Sequence, residues 1–394
     1  VQGLEIAVAG CGPAGMAAAL LLHCDGHRVR LIERFAQARP VGSGLMLQPT
    51  GLAVLASLGL DAQALAAGRR IERLYGRAGE RTVLDVRYAA LPGNRFGLGI
   101  HRATLFDILF AAVTAAGIPV ETDRAVVGSI VAGGRRRLVF AGGEQDGPFD
   151  LVVDALGCRT PLAAPCGQSL PYGALWASLD WPADGFDEAA LEQRYRAASV
   201  MAGILPIGTV AGAARPQAAF FWSLRGDRLP AWRGAGLDHW KAEVADLWPA
   251  ATAFTRQIED SDMLTFASYV HRTLPAPAEA GLIHIGDAWH STSPQLGQGA
   301  NMALLDAFAL ARGLRDTGGE AAGLARAVAL RRRHVWLYQA MSRMFTPVYQ
   351  SDSRALPWLR DRVVGPLAGV RTVSWLQANM VAGFVGAPLG RLGL

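Results

Sequence analysis

Lysine is almost absent from this sequence: of its 38 lysine and arginine residues, only Lys241 is a lysine. The basic runs Arg135 to Arg137 and Arg331 to Arg333 are short and lack interleaved aromatic residues. That pattern excludes a base-stacking nucleic-acid tract, and the net charge of +5 instead suits small anions and phosphates. Cysteine is scarce too. Cys11, Cys24, Cys158 and Cys166 form no CxxC pair, so neither a zinc site nor a disulfide framework is signalled. Missing as well is any uncharged apolar run of about 18 residues, the length a membrane-spanning helix needs. The chain enters an apolar strand without a signal-peptide pattern, and we expect a soluble, cytoplasmic protein without metal.

What is present is apolar bulk. Hydrophobic residues make up 51% of 394 positions and charged residues only 18%, enough for two intergrown domains with large cores. Leu4 to Ala9 reads as a buried strand, Ala14 to Cys24 as a helix of small residues, and Arg28 to Glu33 as a second strand, together one βαβ unit. Helical patterns follow at Gly51 to Leu58 and Ala103 to Ala116, and a buried strand at Leu151 to Ala155. From about 170 to 270 tryptophan and phenylalanine concentrate among β-prone runs, which reads as a mostly antiparallel layer. Leu282 to Gly286 is again strand-like, and Gly299 to Leu314 helical. Beyond Ala321 the pattern is helical, with breaks expected at Pro347, Pro357, Pro366 and Pro388. The apolar segment Gly365 to Leu394 has few basic residues, so packing against the body is expected of it rather than membrane contact.

Gly10-Cys11-Gly12-Pro13-Ala14-Gly15 is a GxGxxG motif between a strand and a helix, the context in which it binds a dinucleotide. Gly10 permits the tight turn, Gly12 lets backbone N–H groups reach a pyrophosphate, and Gly15 lets the helix approach the strand. Pro13 and Ala14 open the helix. Glu33, followed by Arg34, ends the second strand where a carboxylate meets the adenosine ribose. The motif does not distinguish NAD from FAD.

His284-Ile285-Gly286-Asp287-Ala288-Trp289-His290 and Ser293-Pro294-Gln295-Leu296-Gly297-Gln298-Gly299-Ala300-Asn301 make that distinction. Together they resemble the group A flavoprotein monooxygenases, the family of para-hydroxybenzoate, salicylate and ubiquinone-biosynthesis hydroxylases. The resemblance implies noncovalent FAD, with Gly286 and Asp287 at its ribityl chain and Pro294, Gly297, Gly299, Ala300 and Asn301 beside the isoalloxazine ring. Physically, a glycine-rich loop opening a helix offers free N–H groups and a positive dipole end. Gly42 to Pro49, with Gly44 and Leu45, is similar to the segment that passes the flavin. His101-Arg102-Ala103-Thr104-Leu105 is similar to a helix start whose arginine approaches the FAD phosphates. His290 reads as a locally hydrogen-bonded loop residue. One departure stands out: in Asp154-Ala155-Leu156-Gly157 a leucine occupies the place of the family's aspartate, which weakens the inference that NAD(P)H reduces the flavin.

The expected architecture is α/β (α+β): a discontinuous Rossmann-type FAD-binding domain over 1–165 and 275–320, a mostly antiparallel substrate domain over 166–274, and a helical region over 321–394. The resemblance implies a monooxygenase with NAD(P)H as reductant, in which a flavin C4a-hydroperoxide transfers one oxygen atom of O₂ to a small aromatic or polycyclic substrate. Tyr269 and His271 are candidates to hydrogen-bond a phenol; a structural role competes for both, and no catalytic group is otherwise assigned. A flavin oxidase, reductase or halogenase on the same fold, or a non-catalytic FAD-binding partner, stays open, as does a homodimer.

Overall fold

The computed structural model describes residues 3–37, 43–182, 185–210, 212–368 and 370–394. Glu5–Ala9, Pro13–Cys24 and Arg28–Ile32 form the βαβ unit. Both strands are buried over most of their length, as in a sheet covered on two faces, and the helix packs its buried alanines, Met16 and Leu20 to Leu22 in the core. Its strands join a six-stranded sheet in the order Ala278–Glu279, Leu282–His284, Leu151–Asp154, Glu5–Ala9, Arg28–Ile32, Val120–Glu121. Every pairing is parallel except that of the edge strand Ala278–Glu279. Register places Ala9 beside Asp154 and Asp154 beside His284, so the carboxyl ends of the central strands share one edge, which is where open α/β sheets bind ligands. The helices Pro13–Cys24, Gly299–Thr317 and Glu320–Tyr349 stack on one face of this sheet around Met16, Leu22, Leu304, Leu305 and Leu324. A three-stranded antiparallel meander, Val126–Ala132, Arg135–Phe140 and Gln145–Phe149, covers the other, packing Phe140 and Phe149 on Val152.

A second sheet of seven strands includes Tyr172–Asp180, Ala190–Arg196, Val200–Gly208 and Gln217–Arg225. It is antiparallel throughout apart from one pairing, Ala190–Arg196 with Arg73–Ala78. That pairing extends the expected layout: Arg73–Ala78 and Arg81–Arg87, placed by the sequence reading in the first domain, complete this second sheet. Along Gln217–Arg225, Phe220 and Trp222 point to an outer layer of helices with Trp240, Trp248 and Phe254, while Ala219 and Phe221 point inward toward the first domain. Most tryptophans therefore fill an outer core, and only Trp176 shares the inner face with Phe221, their rings 4.8 Å apart.

Pro347 does not break its helix, which runs unbroken from Glu320 to Tyr349. Pro357 lies in the first turn of Ala355–Leu359 and Pro388 opens the last helix, positions where a missing N–H costs little, whereas Pro366 lies near the end of a helical run that continues through Arg360–Val364 into Gly365–Leu367. The helix Arg371–Ala382 packs Ala378, Val381 and Ala382 against Val83, Tyr88 and Leu205. No helix among the described residues is long and apolar enough to cross a membrane.

Candidate FAD and substrate site

Three glycines shape the dinucleotide loop in three ways. Gly10 has φ +108°, and a side chain there would strike the Ala155 carbonyl. Gly15 lies so close to the Gly10 carbonyl that any Cβ would collide with it. A Cβ on Gly12 would meet nothing within 4 Å, so the helix opens onto free space. That helix start carries no side-chain cap and no acidic residue, with Pro13 at its first turn and Ala14 and Gly15 buried behind it. Its unpaired N–H groups thus open onto space where an anion such as a phosphate would be favoured. Glu33 closes the loop. Its carboxylate accepts the Cys11 N–H at 3.0 Å and the Arg34 N–H at 2.8 Å, leaving lone pairs for ribose hydroxyls. Arg34 is exposed and rests over the Phe35 ring. Between them, burial pushes the Cys11 thiol up to about 12, with the Glu33 charge adding to the effect.

The second motif folds back onto the first. Gly286, at φ +56°, is wedged so that a Cβ would touch both Ala14 and Ala303, each at 3.2 Å. Asp287 therefore sits where the starts of Pro13–Cys24 and Gly299–Thr317 converge. The latter start also lacks a side-chain cap and an acidic residue, and Gly299 at its head is exposed with open space around it. Asp287 lies deep within the fold, yet its side chain is exposed, so it faces an internal cleft. Burial pushes its carboxyl above the ordinary range, opposed by His290 and Arg102 and reinforced by Asp306. Arg102, at the head of the helix Arg102–Ala115, is exposed to the same cleft without an ion pair among the described residues.

The turn that presents Asp287 hangs on residues that sequence reasoning passed over. Asp306 accepts the Gly286 N–H at 3.0 Å, pairs with His290 Nε2 at 2.7 Å and with Arg331 Nε at 2.7 Å, all fully buried. Burial alone would raise this carboxyl, but His290 and Arg331 hold it down at about 2. His290 is thus the locally satisfied residue expected of it. Asp306 and Arg331 read in sequence as ordinary helix positions, and only their burial gives them away. Asn301, expected beside the flavin, spends its side chain on the protein: Oδ1 accepts the Gln48 N–H, while Nδ2 donates to the Met46 and Gly297 carbonyls. It ties the strand Gly44–Leu47 to the loop carrying Pro294 and Gly297, and leaves Ala300 half-buried at the helix start. Gly44 presses directly on Ala219 and Ile207 of the second sheet, which brings the half-buried Leu45 segment against that sheet's inner face. Gly42 lies outside the described residues.

The leucine departure has a compensation. Asp154 is buried and accepts the Leu156 N–H at 2.9 Å and the Thr160 hydroxyl at 2.6 Å, while pairing with His284 Nδ1 at 2.6 Å. The strand-end turn is held by a carboxylate two residues early, and Arg159 stays exposed.

The charge of Arg102 reaches both Asp287 and Tyr269, and beside Tyr269 lies Trp176 of the second sheet. Tyr269 accepts the Trp176 indole N–H at 3.0 Å, and burial pushes its phenol up to about 12 against the opposing effects of Trp176 and Arg102. Two residues along the strand Tyr172–Asp180, on the same face, Ser178 meets His101 Nε2 at 3.1 Å and Ser43 Oγ at 2.9 Å. His101 Nδ1 accepts the Ala103 N–H, so in the neutral ring Nε2 carries the proton and donates to Ser178. Burial lowers the His101 pKa, Arg102 lowers it further, and Asp107 opposes. His271, by contrast, is buried away from this chain and bonds Ser342, in a hydroxyl cluster with Ser293 and Thr346 behind the Pro294 loop.

These residues fit a bound FAD: a cradle at Gly12, an acceptor at Glu33, an unpaired Arg102, and an exposed carboxylate at the meeting of two uncapped helix starts. The FAD-binding-domain family model matches residues 3–135 and 230–342. The chain belongs to that family. This monooxygenase is 30% identical to 6-methylpretetramide 4-monooxygenase of Streptomyces rimosus over 79% of its own length and 76% of the relative's. It is 28% identical to salicylate hydroxylase of Pseudomonas putida, covering 92% and 88% of the two chains. Among solved structures, the Klebsiella pneumoniae HpxO complex with FAD and uric acid superposes with a TM-score of 0.80 at 18% identity, over 98% of this chain and 99% of that one. That last likeness is one of fold.

Proposed function

We propose that this flavoprotein hydroxylates an electron-rich aromatic ring held between the Asp287 side of the cleft and the Trp176–Tyr269 floor, with NAD(P)H as the electron donor. The observation that carries the reading is that Arg102 lies within electrostatic reach of both surfaces. One is built from helix starts and Asp287, the other from an aromatic pair and the chain His101–Ser178–Ser43. When bound, reduced FAD supplies the electrons that activate O₂.

The protein contributes placement, polarity and proton handling. Gly12, Glu33 and Arg102 would hold the dinucleotide end of FAD, and Asp287 would accept hydrogen bonds from its hydroxyls. The uncapped start of Gly299–Thr317 would favour the negative charge that the flavin gains on reduction. Tyr269 stays protonated over the working pH range; since its oxygen already accepts from Trp176, its own proton is free for a substrate hydroxyl or carboxylate. His101 is held neutral, and its Nε2–H donates to Ser178, which in turn shares a hydrogen bond with Ser43, so the two hydroxyls are fixed in place beside the aromatic pair. Trp176 and Phe221 supply the flat apolar contact an aromatic substrate needs.

The test is direct. Purified protein is expected to show flavin absorbance, all of it released by acid precipitation, and NAD(P)H oxidation stimulated by a phenol or hydroxylated heteroaromatic. ¹⁸O from O₂ should appear in the product. Oxygen consumption without label in any product would assign the chain to the oxidases instead.

A further inference from the structure

The segment from Trp358 to Leu376 is built inside out. Its buried positions are Arg360, Gly365 and Ala368, while Trp358, Leu359, Val363, Val364, Leu367, Val370, Trp375 and Leu376 are exposed, Trp358 at 57% and Trp375 at 49%, so the packing expected of Gly365 to Leu394 leaves an apolar face uncovered. Arg360 is the anchor. Fully buried, it donates to the Val348 and Ala197 carbonyls and lies over the Tyr195 ring at 4.8 Å. Gly365 packs on Thr82, and Arg371–Ala382 packs on the same strand, Arg81–Arg87, so the two exposed apolar stretches lie side by side. Soluble monomers seldom leave so many large apolar side chains together in water, and such a patch marks a partner.

Charge selects the partner. From Arg331 to Leu394 there are nine arginines and only two acidic residues, Asp352 and Asp361. Both are occupied: Asp352 by Tyr172 and Arg225, Asp361 by the buried Arg360. Arg354, Arg362 and Arg371 are exposed at the patch with no ion pair among the described residues, and Arg362 lies over the Trp358 ring. In a twofold dimer through this face, unneutralised arginines would meet their own copies. Tryptophan among aliphatics, rimmed by unpaired arginine, is the composition that settles into the headgroup region of an anionic bilayer.

We propose that the Trp358–Leu376 face docks the protein on anionic phospholipid surfaces. The experiment is cosedimentation of the full-length, flavin-loaded chain with phosphatidylcholine vesicles, with and without phosphatidylglycerol, at low and high salt. Binding is expected only with the anionic lipid and is expected to weaken in salt. Arg362→Gln with Arg371→Gln should weaken it roughly 30-fold, and Trp358→Ser with Trp375→Ser should abolish it. Because all four side chains are exposed, the melting temperature of each variant should match the parent and exclude misfolding. Failure to bind, equal binding to neutral vesicles, or a tryptophan-dependent dimer in sedimentation velocity without vesicle binding would each overturn the proposal. None of these outcomes depends on hydroxylation, so the proposal stands or falls apart from the catalytic reading.

Discussion

Asp306 and His290 are 2.7 Å apart in the core, and the same Asp306 oxygen accepts the N–H of Gly286. A buried ion pair thereby fixes the turn that aims Asp287 into the cleft. Removing the carboxylate leaves the buried Arg331 without its counter-charge, so Asp306→Asn should destabilise the fold by about 3–5 kcal/mol. Chemical denaturation measures the loss. The native carboxyl is depressed to about 2, so its stabilisation is complete above the ordinary carboxylate value and disappears as pH falls toward 2; the variant should lack that acid-side slope.

Asp287 has the opposite sign. Its carboxyl is raised by burial, so the charged form costs stability above the raised value, and the cost vanishes below the ordinary carboxylate value. Asp287→Asn should therefore raise the melting temperature of the flavin-free chain at neutral pH while weakening FAD binding by one to two decades, as the loss of a charge-assisted bond worth roughly 1.5–3 kcal/mol requires. A variant that binds FAD as tightly as the parent would remove Asp287 from the ribityl site.

Gly12 and Gly15 should separate binding from folding. Gly12→Ala adds a methyl where the protein itself offers no contact, so thermal stability should hold and FAD affinity should fall. Gly15→Ala drives a methyl into the Gly10 carbonyl, and the fold should lose stability with or without flavin. Equal behaviour of the two variants would contradict the assignment of the cradle.

Leu156 bears on reduction. Asp154 organises the turn, but its carboxylate is committed to Leu156 N, Thr160 and His284, so no acid faces the cleft at this strand end. Stopped-flow reduction of bound FAD by NADH or NADPH without substrate should be slow, and Leu156→Asp should accelerate it. Fast reduction of the parent by either nucleotide would show that the leucine has no such consequence.

How much of this was legible beforehand follows the range of each signal. The βαβ unit and the Gly286–Asp287 turn announce themselves through local glycine spacing and period. Asp306 and Arg331 do not, because a charged residue in a helix looks solvated until a neighbouring helix covers it. The inclusion of Arg73–Ala78 in the second sheet depends on a partner more than a hundred residues away, beyond any window of periodicity. The tryptophans were ambiguous for a related reason: composition shows that a strand carries Trp222 and Phe221, but only the sheet's pairing decides which faces the first domain. Pro347 was overread as a break.

Cys11 sits in the middle of the dinucleotide loop of an enzyme that works with O₂, where a reactive sulfur would be a route to self-inactivation. Its thiol is buried and raised to about 12, so almost no thiolate exists to attack an oxidant or an alkylating reagent. The exposed Cys24, at the far end of the same helix, is the one such reagents will reach. The loop shaped to cradle a dinucleotide is, in this sense, chemically deaf to any oxidant that reaches it.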